Sequence, residues 1–221
     1  VWGNIDLKSC IENGIPNNKI EVLGSTFYDK IFQNKIPSYT KSDNSVLFAT
    51  DFKSLHTIES ITVEWMKKYE LIINSVYNAT MKHDKKLVIR PHPQKDIGEK
   101  QIAKKLDPQI KVVLGGSILP LIKSSSLVVV TDVSSVMVEA MILNKPVISI
   151  RVNPDYDDFF AGNPNTCLRT DIEDFENNLS KILENEQFRN LLLKKQKIFL
   201  DENIVNQGSA SINLIKFLDN L

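Results

Sequence analysis

VVVTDVSSVMVEA, residues 128–140, decides how this chain is read. Its valine run fits a buried strand, in which apolar residues need not alternate when both faces are covered. The strand ends at Asp132, and Ser134 and Ser135 open a helix over 134–144. The first amides of a helix lack partners and sit at the positive end of its dipole, so such a start attracts anions. The two serines add hydroxyl donors. Glu139, about one turn further on, is placed to reach sugar hydroxyls beside a bound phosphate. The plainer alternative is a serine cap followed by a solvated glutamate.

The pattern repeats on either side of this stretch. Strands are predicted at 46–51, 86–93, 110–115, 126–132, 145–151 and 165–169, with helices between them. The longest helix is predicted over 57–82, where Ile58, Ile61, Trp65, Tyr69, Ile72, Ile73 and Val76 recur at three and four. Strands alternating with helices imply right-handed crossovers and a parallel sheet. The expected fold is a Rossmann-like doubly wound α/β domain with strand order 3-2-1-4-5-6, which binds ligands beyond the carboxyl ends of its strands.

The candidate chemistry lies at those strand ends. In VIRPHP (88–93), Arg90 suits phosphate recognition and His92 can donate a hydrogen bond while neutral, with Pro91 and Pro93 stiffening the backbone. A rigid loop with a surface histidine is the alternative. FATDFK (48–53) offers Lys53 as a cation, or a plain turn. In LGGSILP (114–120), Gly115 and Gly116 allow a tight turn or close approach to a ligand, and Ser117 can cap the next helix. Asp132 is counted with this group. Arg151 with Asp155, Asp157 and Asp158 reads as a hydrated loop. No metal cluster, GxGxxG, Walker lysine or GxSxG elbow is visible, so nicotinamide, flavin, P-loop and serine-hydrolase readings lack support.

The flanks are expected to serve other ends. Residues 1–45 read as an inter-domain segment: a short helix closed by Gly14, a strand at KIEVLG (19–24), a helix in STFYDKIFQN (25–34), and a linker over 34–45. The donor domain is drawn at 46–200. Thr170 with Glu173 makes a capping-box pattern. Two more helices follow, near 186–200 and 208–219, and residues 201–221 are expected to pack back toward a missing N-terminal domain. The chain begins at Val1 and reads as the middle of a larger protein. Its 221 residues carry 27 basic and 27 acidic side chains, and this neutrality argues against nucleic-acid binding. The cysteines, Cys10 and Cys167, have neither disulfide-scaffold nor metal spacing. No apolar stretch approaches the length of a membrane span.

Together these stretches resemble the C-terminal half of GT-B fold transferases, and most closely CDP-glycerol glycerophosphotransferases and related capsule or teichoic-acid polymer transferases. The matching segments are VLGSTFYDKI (22–31), LFATDFK (47–53), RPHP (90–93) and TDVSSVMVEAMILNKPVISI (131–150). The last is also similar to the TDSGGxQEEAxxLGKPV motif of non-hydrolysing UDP-N-acetylglucosamine 2-epimerases: Ser134-Ser135 replaces its Gly-Gly, and Glu139 matches its acid, which contacts ribose. The serine pair favours the transferases. The resemblance implies a domain that holds the nucleotide diphosphate of an activated donor, such as a UDP-sugar or CDP-glycerol, without metal or cofactor. By motif, Arg90, His92, Ser134 and Ser135 would bind the phosphates, Glu139 the ribose, and Lys53 would assist the leaving diphosphate. No catalytic residue is assigned beyond His92 as a candidate. The chain alone is expected to be inactive. The full-length transferase would act in cell-surface polysaccharide synthesis, in the cytoplasm and peripherally at the inner face of the membrane. An epimerase domain and a non-catalytic interaction module are the alternatives.

Overall fold

The computed structural model describes residues 1–34, 43–50, 63–92, 98–152 and 166–220. In chain order the elements are α1 (Asn4–Glu12), α2 (Asp29–Gln33), β1 (Ser45–Thr50), α3 (Val63–Met81), β2 (Lys86–Pro91), α4 (Glu99–Leu106), β3 (Lys111–Val112), α5 (Leu119–Lys123), β4 (Ser125–Thr131), α6 (Val136–Ile142), β5 (Val147–Ile150), β6 (Leu168–Thr170), α7 (Phe175–Glu184), α8 (Glu186–Asn203) and α9 (Ala210–Leu218). The six strands form one parallel sheet in the order β3-β2-β1-β4-β5-β6, as the sequence predicts.

The valine run works as expected. Every residue of β4 is buried, and alternate side chains enter two different cores. Leu127 and Val129 join Val46, Phe48 and Ile89 against α3, α4 and α7, where Tyr69, Ile72, Ile73, Phe175 and Leu179 pack. Val128 and Val130 join Leu47 and Val147 against α2, α5, α6 and α8, where Tyr28, Ile122, Met137, Met141 and Phe199 pack. Each fully buried aliphatic side chain contributes about 1.5–3 kcal/mol, so β4 anchors both layers.

The flanking segments depart from the sequence reading at three points. KIEVLG is not a strand. The amides of Leu23 and Gly24 donate to the Val1 carbonyl at 3.1 and 3.2 Å, and the stretch pairs with no strand among the described residues. Thr170 does not open a capping box: it ends β6, and its hydroxyl donates to Asp171 O (2.9 Å) and accepts from Asn178 Nδ2 (2.9 Å), while α7 starts at Phe175. The helix that crosses position 200 runs on to Asn203. Of the predicted long helix, 57–62 lie outside the described residues, as do 35–42 of the predicted linker.

The first and last segments are stitched to each other. Val205 N donates to Trp2 O (3.0 Å), and Ile5 N donates to Asn203 Oδ1 (3.2 Å). Gly24 has φ 87° and sits so close to Val205 O that a Cβ would lie 2.2 Å from it. The Asp29 carboxylate accepts from Ala210 N (3.0 Å) and Ser211 N (2.7 Å), capping α9 from a distant part of the chain. Beyond Ala210, α9 leaves Ile212, Ile215 and Leu218 exposed.

Candidate nucleotide site

The carboxyl ends of β2, β1 and β4 frame a cleft of roughly 230 Å³. It sits where the chain reverses its direction of winding, between β1 and β4, the switch point that a doubly wound sheet reserves for ligands. Ala49 and Thr50 come from β1; Arg90, Pro91 and His92 come from β2 and its exit. Gly116 and Ile118 enter from the turn before α5, and Ser134, Ser135, Val136 and Glu139 from the turn into α6 and its first turn. Five residues singled out from sequence are thus brought together: Arg90, His92, Ser134, Ser135 and Glu139.

Each is held differently. Ser134 is buried, and its Oγ accepts a long bond from Val136 N (3.4 Å). Ser135 is exposed at the N-cap position, and its side chain makes no capping hydrogen bond. Because α6 has only seven residues, an anion here would meet local donors rather than a long helix dipole. Glu139 is half-buried, and burial pushes its carboxyl above the usual carboxylate range. Arg90 is 5% exposed, and its guanidinium turns into the protein: Nη1 donates to Val113 O (3.0 Å) and Gly115 O (2.6 Å), and Nη2 to Gly116 O (2.8 Å). Sequence reasoning had aimed that fork at phosphate. His92 is half-buried at the rim.

Two candidates do not line the cleft. Asp132 has φ 45°, a left-handed conformation that Asp tolerates better than most residues, and it ties β4 to β5. Its Oδ1 accepts from Val152 N (2.8 Å), its amide donates to Ile150 O (2.9 Å), and its carbonyl accepts from Ser149 Oγ (2.5 Å). Ser117 is exposed and accepts from Leu119 N (3.3 Å), but Ile118 occupies the N-cap of α5 and no side chain caps it, so Ser117 does not take the capping role expected of it. Lys53 and Asp51 lie outside the described residues, as do Asp155, Asp157 and Asp158; Arg151 is exposed, 3.6 Å from Asp171.

Thr50 on the cleft wall, and Glu99 and Tyr28 outside the lining, were not assigned by the sequence reading. Thr50 donates to the buried Glu99 on the first turn of α4 (3.2 Å). Tyr28, 1% exposed, comes from the N-terminal segment and packs in the same core as Met137, Val138 and Ala140 of α6. Burial and then the nearby Glu139 carboxylate hold its phenol far above the ordinary range. The VLGSTFYDKI stretch is one of the matching motifs, but nothing in its spacing shows that Tyr28 packs with α6. Among the described residues, no group of three or more His, Cys, Asp or Glu side chains is arranged to hold a metal ion, and no helix is long and apolar enough to cross a membrane.

Comparison with known proteins bears directly on the transferase expectation. Residues 6–216 match the sequence profile of the family described as UDP-N-acetylglucosamine 2-epimerase. A curated protein of that name from Methanococcus maripaludis is 25% identical over 201 residues, covering 82% of this chain and 53% of the relative. The chain therefore spans about half the length of that relative. Among solved structures, a UDP-GlcNAc 2-epimerase from Neisseria meningitidis bound to UDP-GlcNAc superposes with a TM-score of 0.68 at 17% identity, covering 99% of this chain and 60% of that one. The S. aureus MnaA–UDP co-structure gives a TM-score of 0.67 at 18% identity, covering 100% and 59%. These likenesses place the fold in the GT-B, Rossmann-like group. They overturn the transferase reading, because the matched relatives are isomerases; the CDP-glycerol and polymer-transferase resemblance finds no support. The physical reason is that the serine pair was read only as a diphosphate contact, and a contact of that kind does not encode what happens to an attached sugar.

Proposed function

The chain belongs to the UDP-N-acetylglucosamine 2-epimerase family, and from that premise we propose that it is the nucleotide-binding part of an isomerase acting on a UDP-linked amino sugar. The observation that carries this reading is the convergence of His92, Ser134, Ser135 and Glu139 on one cleft at the sheet's switch point. In this reading the serine hydroxyls and the His92 imidazole receive the diphosphate, and the Glu139 carboxylate accepts hydrogen bonds from the ribose hydroxyls. Donors fixed before the ligand arrives stabilise developing negative charge on the diphosphate without having to reorganise. A neutral imidazole can make that contact with one N–H, and a protonated one adds charge. The cleft is smaller than the roughly 300–1,000 Å³ of a typical ligand pocket; we assign its remaining wall, and the groups that move protons at the sugar, to the rest of the full-length protein.

Calorimetric titration of the chain with UDP tests the binding step. The expected result is weak, saturable binding, reduced about tenfold by Ser134→Ala through loss of a hydrogen bond to a charged group. The full-length protein is expected to convert UDP-GlcNAc to its 2-epimer. Absence of UDP binding, or binding indifferent to Ser134→Ala, overturns the nucleotide assignment. Binding without epimerisation by the full-length protein overturns the reaction.

A further inference from the structure

The turn between β3 and α5 is exposed at Leu114, Gly115, Gly116 and Ser117. Gly115 and Gly116 have φ 77° and 76°, both left-handed, and a Cβ on either would meet nothing within 4 Å. The glycines therefore serve conformation rather than space. Two successive glycines also bring the largest backbone entropy to be lost on ordering. Arg90 donates to the carbonyls of Val113, Gly115 and Gly116. Gly116 and Ile118 form one side of the cleft, and the strand order puts this turn across β2 and β1 from the turn into α6.

We propose that Arg90 is a positioning residue: its guanidinium clamps the Gly115–Gly116 turn and so sets the gap between that turn and the Ser134–Ser135–Glu139 side of the cleft. The proposal rests on the nucleotide reading above for what fills the gap. Arginine suits this task because a planar fork can reach three carbonyls along a curved turn, whereas a lysine offers a single compact charge. The three donated bonds leave two of the five guanidinium N–H groups; Arg90 lines the cleft from β2 while its fork is committed to the turn. Arg90 thus acts on the nucleotide through the turn.

The test titrates UDP and inorganic pyrophosphate into the chain carrying its own Arg90, Arg90→Lys or Gly116→Ala, and measures ¹⁵N order parameters at Gly115 and Gly116. Arg90→Lys keeps the charge and loses the fork. UDP affinity is expected to fall about tenfold in this variant while pyrophosphate affinity stays within about twofold. The glycine order parameters are expected to drop from about 0.85 toward about 0.6. Gly116→Ala, with Arg90 intact, is expected to weaken UDP similarly, and the double variant no more than the worse single one. Equal weakening of UDP and pyrophosphate in Arg90→Lys, or order parameters that do not move, overturns the clamp. If the unaltered chain binds neither probe, the nucleotide reading fails, and the order parameters alone decide whether Arg90 holds the turn.

Discussion

Polar groups at the two ends of the sheet are closed to different degrees. At the amino end, Lys145 is 3% exposed and pairs with Asp43 at 2.5 Å. The Asp43 carbonyl accepts from Lys85 Nζ (2.7 Å) and Ser126 Oγ (3.2 Å), and Gln196 bridges Val147 N (3.0 Å) and Lys145 O (2.9 Å). These groups satisfy one another inside the protein. At the carboxyl end, Ser135 is exposed without a capping bond, and Glu139 is half-buried with a carboxyl that burial makes reluctant to ionise. The difference separates buried polar atoms that are closed on themselves and fix the layers from polar atoms that face the cleft, where the proposed nucleotide would meet them.

The contrast breaks first, and with the largest effect, at Lys145→Ala. Removing one partner of a buried pair leaves the other charge uncompensated, at a cost of about 3 kcal/mol or more. Urea unfolding is expected to show that loss, while UDP affinity, measured where the variant is folded, stays unchanged. An affinity loss matching the stability loss would mean that the two ends are not separable.

Asp29→Ala comes next, with an expected cost of about 1–2 kcal/mol from the lost cap of α9. Burial alone would raise the Asp29 carboxyl, but hydrogen bonds from the Ser211 side chain and from the Ser211, Ala210 and Gly208 backbones outweigh it and hold the carboxyl below its ordinary range. A lowered folded value stabilises above the unfolded one of about 3.9 and is lost as the pH falls through the folded value. The stability gap between the two proteins is therefore expected to be full near neutral pH and to close on acidification. A gap independent of pH would contradict this assignment.

Glu139→Gln sharpens the contrast with the smallest effect, and with opposite signs in its two readouts. Its raised carboxyl favours the folded state below the ordinary glutamate value of about 4.3, an advantage lost as pH rises through the folded value. The variant escapes that loss, so near neutral pH it is expected to melt about one degree higher. It is also expected to bind UDP about fivefold more weakly, because a charged acceptor is gone. A variant that loses both stability and affinity would place Glu139 with the structural groups.

The sheet was legible because its strands announce themselves: the valines of β4 and the proline-stopped run of β2 leave little choice of element, and the alternation with helices leaves little choice of order. The site was legible as a neighbourhood, since the switch point follows from that order. The use of each side chain was not. Arg90 could be placed at a strand end from sequence, but its three carbonyl partners exist only once the turn after β3 folds back over it. Tyr28 shares a core with Met137 and Ala140 of α6, a tertiary placement that no local pattern encodes. Thr170 satisfies the capping-box spacing yet belongs to β6, because the sheet claims its backbone first. Isomerase and transferase could not be separated for a related reason: the residues proposed to hold the nucleotide would serve either chemistry.

β1 meets its partners late. It must pair with β2, Val46 beside Leu87, and with β4, Val46 beside Leu127, a residue about eighty positions further along. Loops of that size close against a substantial entropic cost before any contact compensates it, so chains built this way fold slowly and wait with open strand edges. The strand at the middle of the finished sheet is therefore the one whose edges stay vulnerable to aggregation until the ribosome has delivered β4.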